Sequence, residues 1–289
     1  MIDPSPIPMV FVGGTGRSGT TVIARLLAQH RALELIPIEA RLHTDSGGLA
    51  DLVRGVVSAA DVVEAILGRW YRRSGLGPAQ GLVAIADRDR LERALDRFSA
   101  AAQDDAVLAA GGLLRDLFDH VAADGGALGW VEMTPPNIRM AAELHRMLPG
   151  ARFVHTIRDG RDVACSVVPL DWGPDDHLSA IDWWADGVRA GARALASVPP
   201  EQAHVLWLED LLGDGRDEAL ASMLARLRLE PDVLVSAYLD VAMSPTRGNV
   251  ARWQAELAGD LRNRVDARYR EQLGGLVADG VIEMPGVRT

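Results

Sequence analysis

The sequence predicts an α/β protein, one doubly wound domain over residues 1–289 with a central, mainly parallel sheet flanked by helices. Two observations predict it. Short apolar runs alternate with longer amphipathic stretches along the chain, the pattern of parallel strands joined by crossover helices. The first run, residues 9–12, feeds a glycine-rich turn that opens directly into a helix.

That turn reads Gly13-Gly14-Thr15-Gly16-Arg17-Ser18-Gly19-Thr20-Thr21. Its glycines permit positive φ and bring backbone N–H groups close to a ligand. The hydroxyls of Ser18, Thr20 and Thr21, the cation of Arg17 and the positive end of the helix over 22–29 converge with those N–H groups. The pattern is an anion site suited to a phosphate or sulfate. The spacing from Gly14 to Gly19 matches a P-loop, but the lysine that reaches the terminal phosphates is replaced by Thr20. The loop therefore suits a phosphate-like group and is poorly equipped for ATP.

The second strand is predicted over 33–38, after His30, which is placed to interact with the preceding helix C-terminus. Glu39, Arg41, His43 and Asp45 follow it, where ligands sit in open α/β sheets. Residues 46–127 read as a helical insertion broken by glycines, and as a possible lid over an acceptor. Its cluster Arg69-Trp70-Tyr71-Arg72-Arg73 reads as a helix surface with one buried ring.

A short strand over 128–131 leads into Glu132-Met133-Thr134-Pro135-Pro136-Asn137, whose prolines suit a helix entry. The helix that follows, over 138–148, stops at Pro149-Gly150. The strand over 151–157 ends at Arg158-Asp159-Gly160-Arg161-Asp162, and the next helix carries Ser166. Arg158 and Ser166 lie about 11 Å apart along two helical turns, close enough to grip one phosphate from two directions. His155 alternates with apolar neighbours and reads as a core histidine. A loop over 171–177, a helix over 181–195 with Trp183 and Trp184 as core and cover, a strand over 205–208 and a helix over 220–229 follow. The chain closes with a loop holding Arg247, Gly248, Arg252 and Trp253, then terminal helices.

Composition bounds the chemistry. All 30 basic residues are arginine, so no lysine Schiff base and no P-loop lysine exist. A formal net charge of −10 argues against nucleic acid or an anionic membrane as partner. Cys165 is the only cysteine and the 7 histidines are scattered, which disfavours a disulfide or a protein metal site. No basic leader precedes an apolar segment and no run is long enough to span a membrane, so the cytoplasm is the expected location.

Taken together, Arg17-Ser18-Gly19-Thr20-Thr21, the pair Arg158 and Ser166 at a spacing of eight, and the loop at Arg247-Gly248 resemble the sulfotransferases that use 3′-phosphoadenosine 5′-phosphosulfate (PAPS). The stretch Val205-Leu206-Trp207-Leu208-Glu209-Asp210-Leu211-Leu212 is similar to a strand and turn common in bacterial members. The resemblance implies a P-loop-like three-layer fold, with Gly16 to Thr21 on the 5′-phosphosulfate and Arg158, Ser166, Arg247 and Gly248 on the 3′-phosphate end. The product would be 3′,5′-adenosine bisphosphate (PAP), and no metal is needed. The tyrosylprotein and carbohydrate branches imply Glu39 as general base with Arg41 close by, and Arg17 as a catalytic cation. His43 and Glu132 are the alternatives for the base. The implied acceptor is a small hydroxylated molecule or a sugar, with a tyrosine-containing peptide as another option; the sequence sets no oligomeric state. One position departs from the family: Met133 stands where many members carry lysine. A P-loop kinase or nucleotide hydrolase, and a non-catalytic nucleotide-binding relative, are the competing readings.

Overall fold

A computed structural model describes residues 7–72, 81–243 and 250–283. Five parallel strands form the sheet: β1 (Met9–Gly14), β2 (Leu33–Leu35), β3 (Gly129–Glu132), β4 (Arg152–Ile157) and β5 (Ala203–Trp207). Their order is β2-β3-β1-β4-β5. The chain leaves β1, builds β2 and β3 on one side of it, then crosses to build β4 and β5 on the other. The glycine turn after β1 thus opens at the point where the winding reverses, the place where such sheets bind ligands. Register brings Phe11 opposite Glu132 and Gly14 opposite Thr156, so the ends of β3, β1 and β4 meet at one edge.

The three inner strands, β1, β3 and β4, are buried throughout, and their alternate residues divide between two cores. Phe11, Trp130 and Phe153 face one cluster, while Val10, Val12, Val131 and Val154 face the other. The first cluster is covered by α2 (Leu49–Val53), α3 (Ala59–Ala65), α4 (Arg88–Ala101), α5 (Ala106–Asp124) and α6 (Ala141–Met147). Rings of Phe118 and Trp130 meet edge to face at 5.0 Å, fastening α5 to β3. The described helices of 46–127 are therefore a layer of the core. The second cluster gathers α1 (Thr20–Leu27), α9 (Arg216–Leu227) and α10 (Val233–Ala242). A third joins α7 (Gly160–Val167), α8 (His177–Leu195), α11 (Arg252–Glu256) and α12 (Gly259–Ala278).

Several starts follow their sequence signals. Asp87, Asp105, Asp159, Asp176 and Asp232 each cap a helix through a side-chain carboxylate, and Ser58 with Asp61 forms a capping box on α3. Other boundaries move. The β2 strand ends at Leu35, with Ile36 N still donating to the Val131 carbonyl at 2.9 Å before the chain reaches Pro37. A tight turn over Pro135–Met140 precedes α6, so the helix expected from 138 begins at Ala141. His30 does not cap α1: its Nδ1 accepts from Ala32 N at 3.0 Å, which makes Nε2 the donor to the Glu230 carbonyl at 2.9 Å. It links the entry of β2 to the entry of α10. His155 is a core histidine, fully enclosed against α8.

Candidate active site

A cleft of about 830 Å³ opens beyond the carboxyl ends of the strands, lined by the loop after β1 and by Glu39, Arg41, Arg139 and Arg158. The loop forms its floor. Arg17 and Gly19 both have left-handed backbone, at φ 70° and 93°, with Ser18 between them. Only Gly19 adopts this without steric cost, and Arg17 is held there by its surroundings. Alternation of this kind turns successive N–H groups toward one side, making an anion-binding nest. Helix α1 then starts on Gly19 with no side-chain cap and no acidic residue in its first turn. Thr20 and Thr21 line the cleft at that start. An anion is the natural cap for such a helix.

Arg17 ties the loop to the far side of the sheet. Its Nε donates to Ser166 Oγ at 2.9 Å, and Arg158 Nη1 donates to its carbonyl at 3.3 Å. The three residues expected to hold phosphates are therefore in contact, two strand ends and one helix meeting at Arg17. Arg158 also faces Asp162 at 3.7 Å. Ser18 is the exception within the loop. Its hydroxyl is buried, donates to the Thr15 carbonyl at 2.6 Å and meets Thr156 Oγ1 at 3.3 Å. That side chain shapes the loop from inside and is not among the donors facing the cleft, a correction to the sequence reading.

Glu39 and Arg41 share the opposite wall. Arg41 donates from Nε at 3.1 Å and Nη2 at 2.9 Å to Glu39 Oε2, and its other nitrogen lies 3.6 Å from Asp45. Arg41 has left-handed backbone, φ 60°, which lets it fold back on a residue two positions earlier. His43 and Glu132, the alternatives for the base, are both fully buried. Neither reaches an acceptor. They form instead a polar cluster under the wall: Glu132 accepts from Ala40 N at 3.2 Å, Thr134 N at 2.9 Å, the Thr134 hydroxyl and the Asn137 amide. His43 Nε2 meets Asn137 Oδ1 at 2.7 Å and Glu132 Oε2 at 3.4 Å. Burial raises the Glu132 carboxyl, but the His43 imidazole and the hydroxyl and amide donors outweigh it and hold it below the usual range. The bond from Ala40 N fixes the backbone immediately after Glu39.

Met133 points the other way, into the apolar cluster beneath α1. The side chain in the family's lysine position is thus out of the cleft. Arg247 and Gly248 lie outside the described residues. The segment that follows them is anchored: Asp162 accepts from Ala251 N at 2.8 Å and Trp253 N at 3.1 Å. Arg161 sits between the rings of Trp253 and Tyr269, at 4.1 and 4.4 Å, while pairing with Asp159 and Asp266. The stretch after β4 therefore holds the C-terminal helices as well as the cleft. None of the described residues in 46–127 lines the cleft, while Trp172 and Trp183, read from the sequence as loop and cover, do. Trp172 had no signal beyond its place after Ser166. Among the described residues, no group of three or more His, Cys, Asp or Glu side chains is placed to hold a metal, and no helix is long and apolar enough to cross a membrane.

The sequence profile of the sulfotransferase family matches residues 8–232. The chain belongs to the sulfotransferase family. No curated protein matches it. Among solved structures, the fold is shared with the sulfotransferase domain of the Synechococcus PCC 7002 olefin synthase at TM-score 0.55 and 17% identity, over 97% of this chain and 97% of that one. A sulfotransferase from Alicyclobacillus acidocaldarius aligns at TM-score 0.50 and 17% identity, over 96% and 97% of the two chains. The sulfotransferase domain from the curacin biosynthetic pathway aligns at 0.51 and 16%, over 91% and 97%. This sulfotransferase keeps their α/β architecture, a parallel sheet flanked by helices, and at these identities the likeness is one of fold.

Proposed function

We propose that this sulfotransferase uses PAPS as donor and sulfates a hydroxyl of a small molecule or sugar, with Glu39 as general base. The observation that carries the donor assignment is the meeting of Arg17, Ser166 and Arg158. Two arginines and a hydroxyl placed around a nest and a bare helix start form a set of donors for two separate phosphate groups. ATP with Mg²⁺ fits less well, because Thr20 stands in the lysine position. Val22 and Leu208 flank Gly19, and with Leu212 and Met243 in the same cleft they supply an apolar surface for a purine.

Bound PAPS supplies a sulfuryl group on a phosphate leaving group. The residues around it do the positioning and carry the charge. The loop N–H groups, Arg17 and the hydroxyls of Thr20 and Thr21 hold the 5′ end and stabilise negative charge growing on the departing oxygen. Arg158 and Ser166 hold the 3′-phosphate, with Arg247 and Gly248 assigned to the same group by family resemblance. Glu39 accepts the proton of the attacking hydroxyl as that oxygen bonds to sulfur, and Arg41 orients its carboxylate. Glu132 acts as a positioning residue through Ala40 N.

Calorimetric titration with PAP, beside ATP and Mg²⁺, tests the donor assignment. Binding of PAP that weakens in Arg158→Ala supports it. Binding of ATP in preference to PAP contradicts it and favours the kinase or hydrolase reading.

A further inference from the structure

The two sides of the loop face different surroundings. A Cβ at Gly19 would lie 3.0 Å from Leu208, on the apolar side assigned above to a purine. A Cβ at Gly16 would lie 3.0 Å from the Trp172 ring and 3.4 Å from Trp183. These two rings sit 6.4 Å apart and tilted by 56°. Trp172 is 61% exposed, a large apolar side chain left at the mouth of a cleft. The upstream end of the loop adjoins the turn after β3: Pro135 O is 3.0 Å from the Cβ position of Gly13, and Pro135 lines the cleft with Glu39 and Arg139. Glu39 and the two rings line one cleft.

Charge along that cleft is uneven in its pairing. Arg41 is engaged by Glu39 and Asp45. Arg139, on the turn between β3 and α6, lines the same cleft and makes no ion pair among the described residues. By contrast, Arg54 pairs with Glu143, and Arg158, on the same cleft, pairs with Asp162. In a chain of net charge −10, a cation left open on a cleft wall is a recognition element for an anion.

Resting on the PAPS reading, we propose that the acceptor is a hydroxylated ring compound bearing an anionic group. Its ring packs on Trp172 and Trp183, its anion pairs with Arg139, and its hydroxyl reaches Glu39. Ring stacking gives affinity, and the arginine gives selection among ring acceptors.

The test is binding of three phenols, 4-hydroxyphenylacetate, 4-ethylphenol and tyramine, to the full chain saturated with PAP, followed by calorimetry. The expected order is anion over neutral over cation, with about tenfold between the first and last, narrowing in high salt. Arg139→Glu should invert the order, Trp172→Ala should weaken all three alike, and Arg264→Glu, on α12 away from the cleft, should change nothing. A flat or reversed order, an order unaltered by Arg139→Glu, or no phenol binding to the PAP complex overturns the acceptor inference. Failure of PAP itself to bind is a separate result, and it removes the donor reading on which the inference rests.

Discussion

Arg17 Nε and Ser166 Oγ lie 2.9 Å apart, joining residues 149 positions apart in the chain. The bond makes the loop after β1 and the helix after β4 one unit. Ser166→Ala removes the hydroxyl that orients Arg17, while leaving the charge. PAP affinity should fall about tenfold, the worth of one hydrogen bond to a charged group. Arg17→Ala should lose more, and the double variant should lose less than the sum, because the two share one contact. Calorimetry on the four proteins checks this, and strict additivity would contradict it.

Glu39 is exposed to the cleft and held by two nitrogens of Arg41. Glu39→Gln keeps the shape and removes the carboxylate proposed as the base. Turnover should fall by ~10²–10⁴-fold, with PAP affinity unchanged. Unaltered turnover would remove Glu39 from the base role, and since His43 and Glu132 are enclosed, neither is positioned to replace it.

Glu132 gathers its donors around both oxygens. In Glu132→Gln an amide N–H₂ must face groups that are themselves donors. The expected cost is about 3 kcal/mol, read as a lower Tm. Because Ala40 N loses its anchor, kcat should also fall while PAP binding holds. A drop in Tm with kcat intact would make Glu132 purely structural.

Much of this arrangement was legible in the sequence, for local reasons. The loop over 13–21 is contiguous, and glycines, hydroxyls and a cation in that order have few other uses. Asp159 as a cap and His155 as a core residue follow from position and alternation. The burial of Ser18 was not legible, because its acceptor, Thr15, lies inside the same turn and its neighbour Thr156 comes from another strand. Nor was the cluster of His43, Glu132 and Asn137, since the β2–β3 pairing that assembles it is non-local. Trp172 belongs to a loop with no periodicity, so only the fold brings it to Gly16.

Acid should weaken the fold through His155. Burial alone lowers this imidazole to about 4, below its ordinary value of 6.5. Its stabilising share, about 3 kcal/mol, is full above pH 6.5, where folded and unfolded chains are both neutral, and is lost as pH falls toward 4. His204, also lowered to about 4, and Glu132 act in the same direction. His155→Leu should therefore flatten the fall in Tm between pH 7 and pH 4. A variant with the same slope as the parent would show that His155 carries no such linkage.

Asp162 binds the N–H groups of Ala251 and Trp253, and so fixes the return of the chain into α11. Asp162→Ala should expose the stretch around residue 250 to proteases at concentrations that leave the parent intact. Equal digestion rates would contradict the anchoring role.

The central claim is that Arg17, Ser166 and Arg158 together hold a nucleotide with separate 5′ and 3′ phosphates. The most direct measurement is calorimetric titration of the full chain with PAP and, separately, with 5′-AMP, which lacks the 3′-phosphate. Binding of PAP at least tenfold tighter than 5′-AMP, with the difference abolished in Arg158→Ala, is the result the account predicts. Equal affinity for the two nucleotides, or a preference that survives Arg158→Ala, would contradict it.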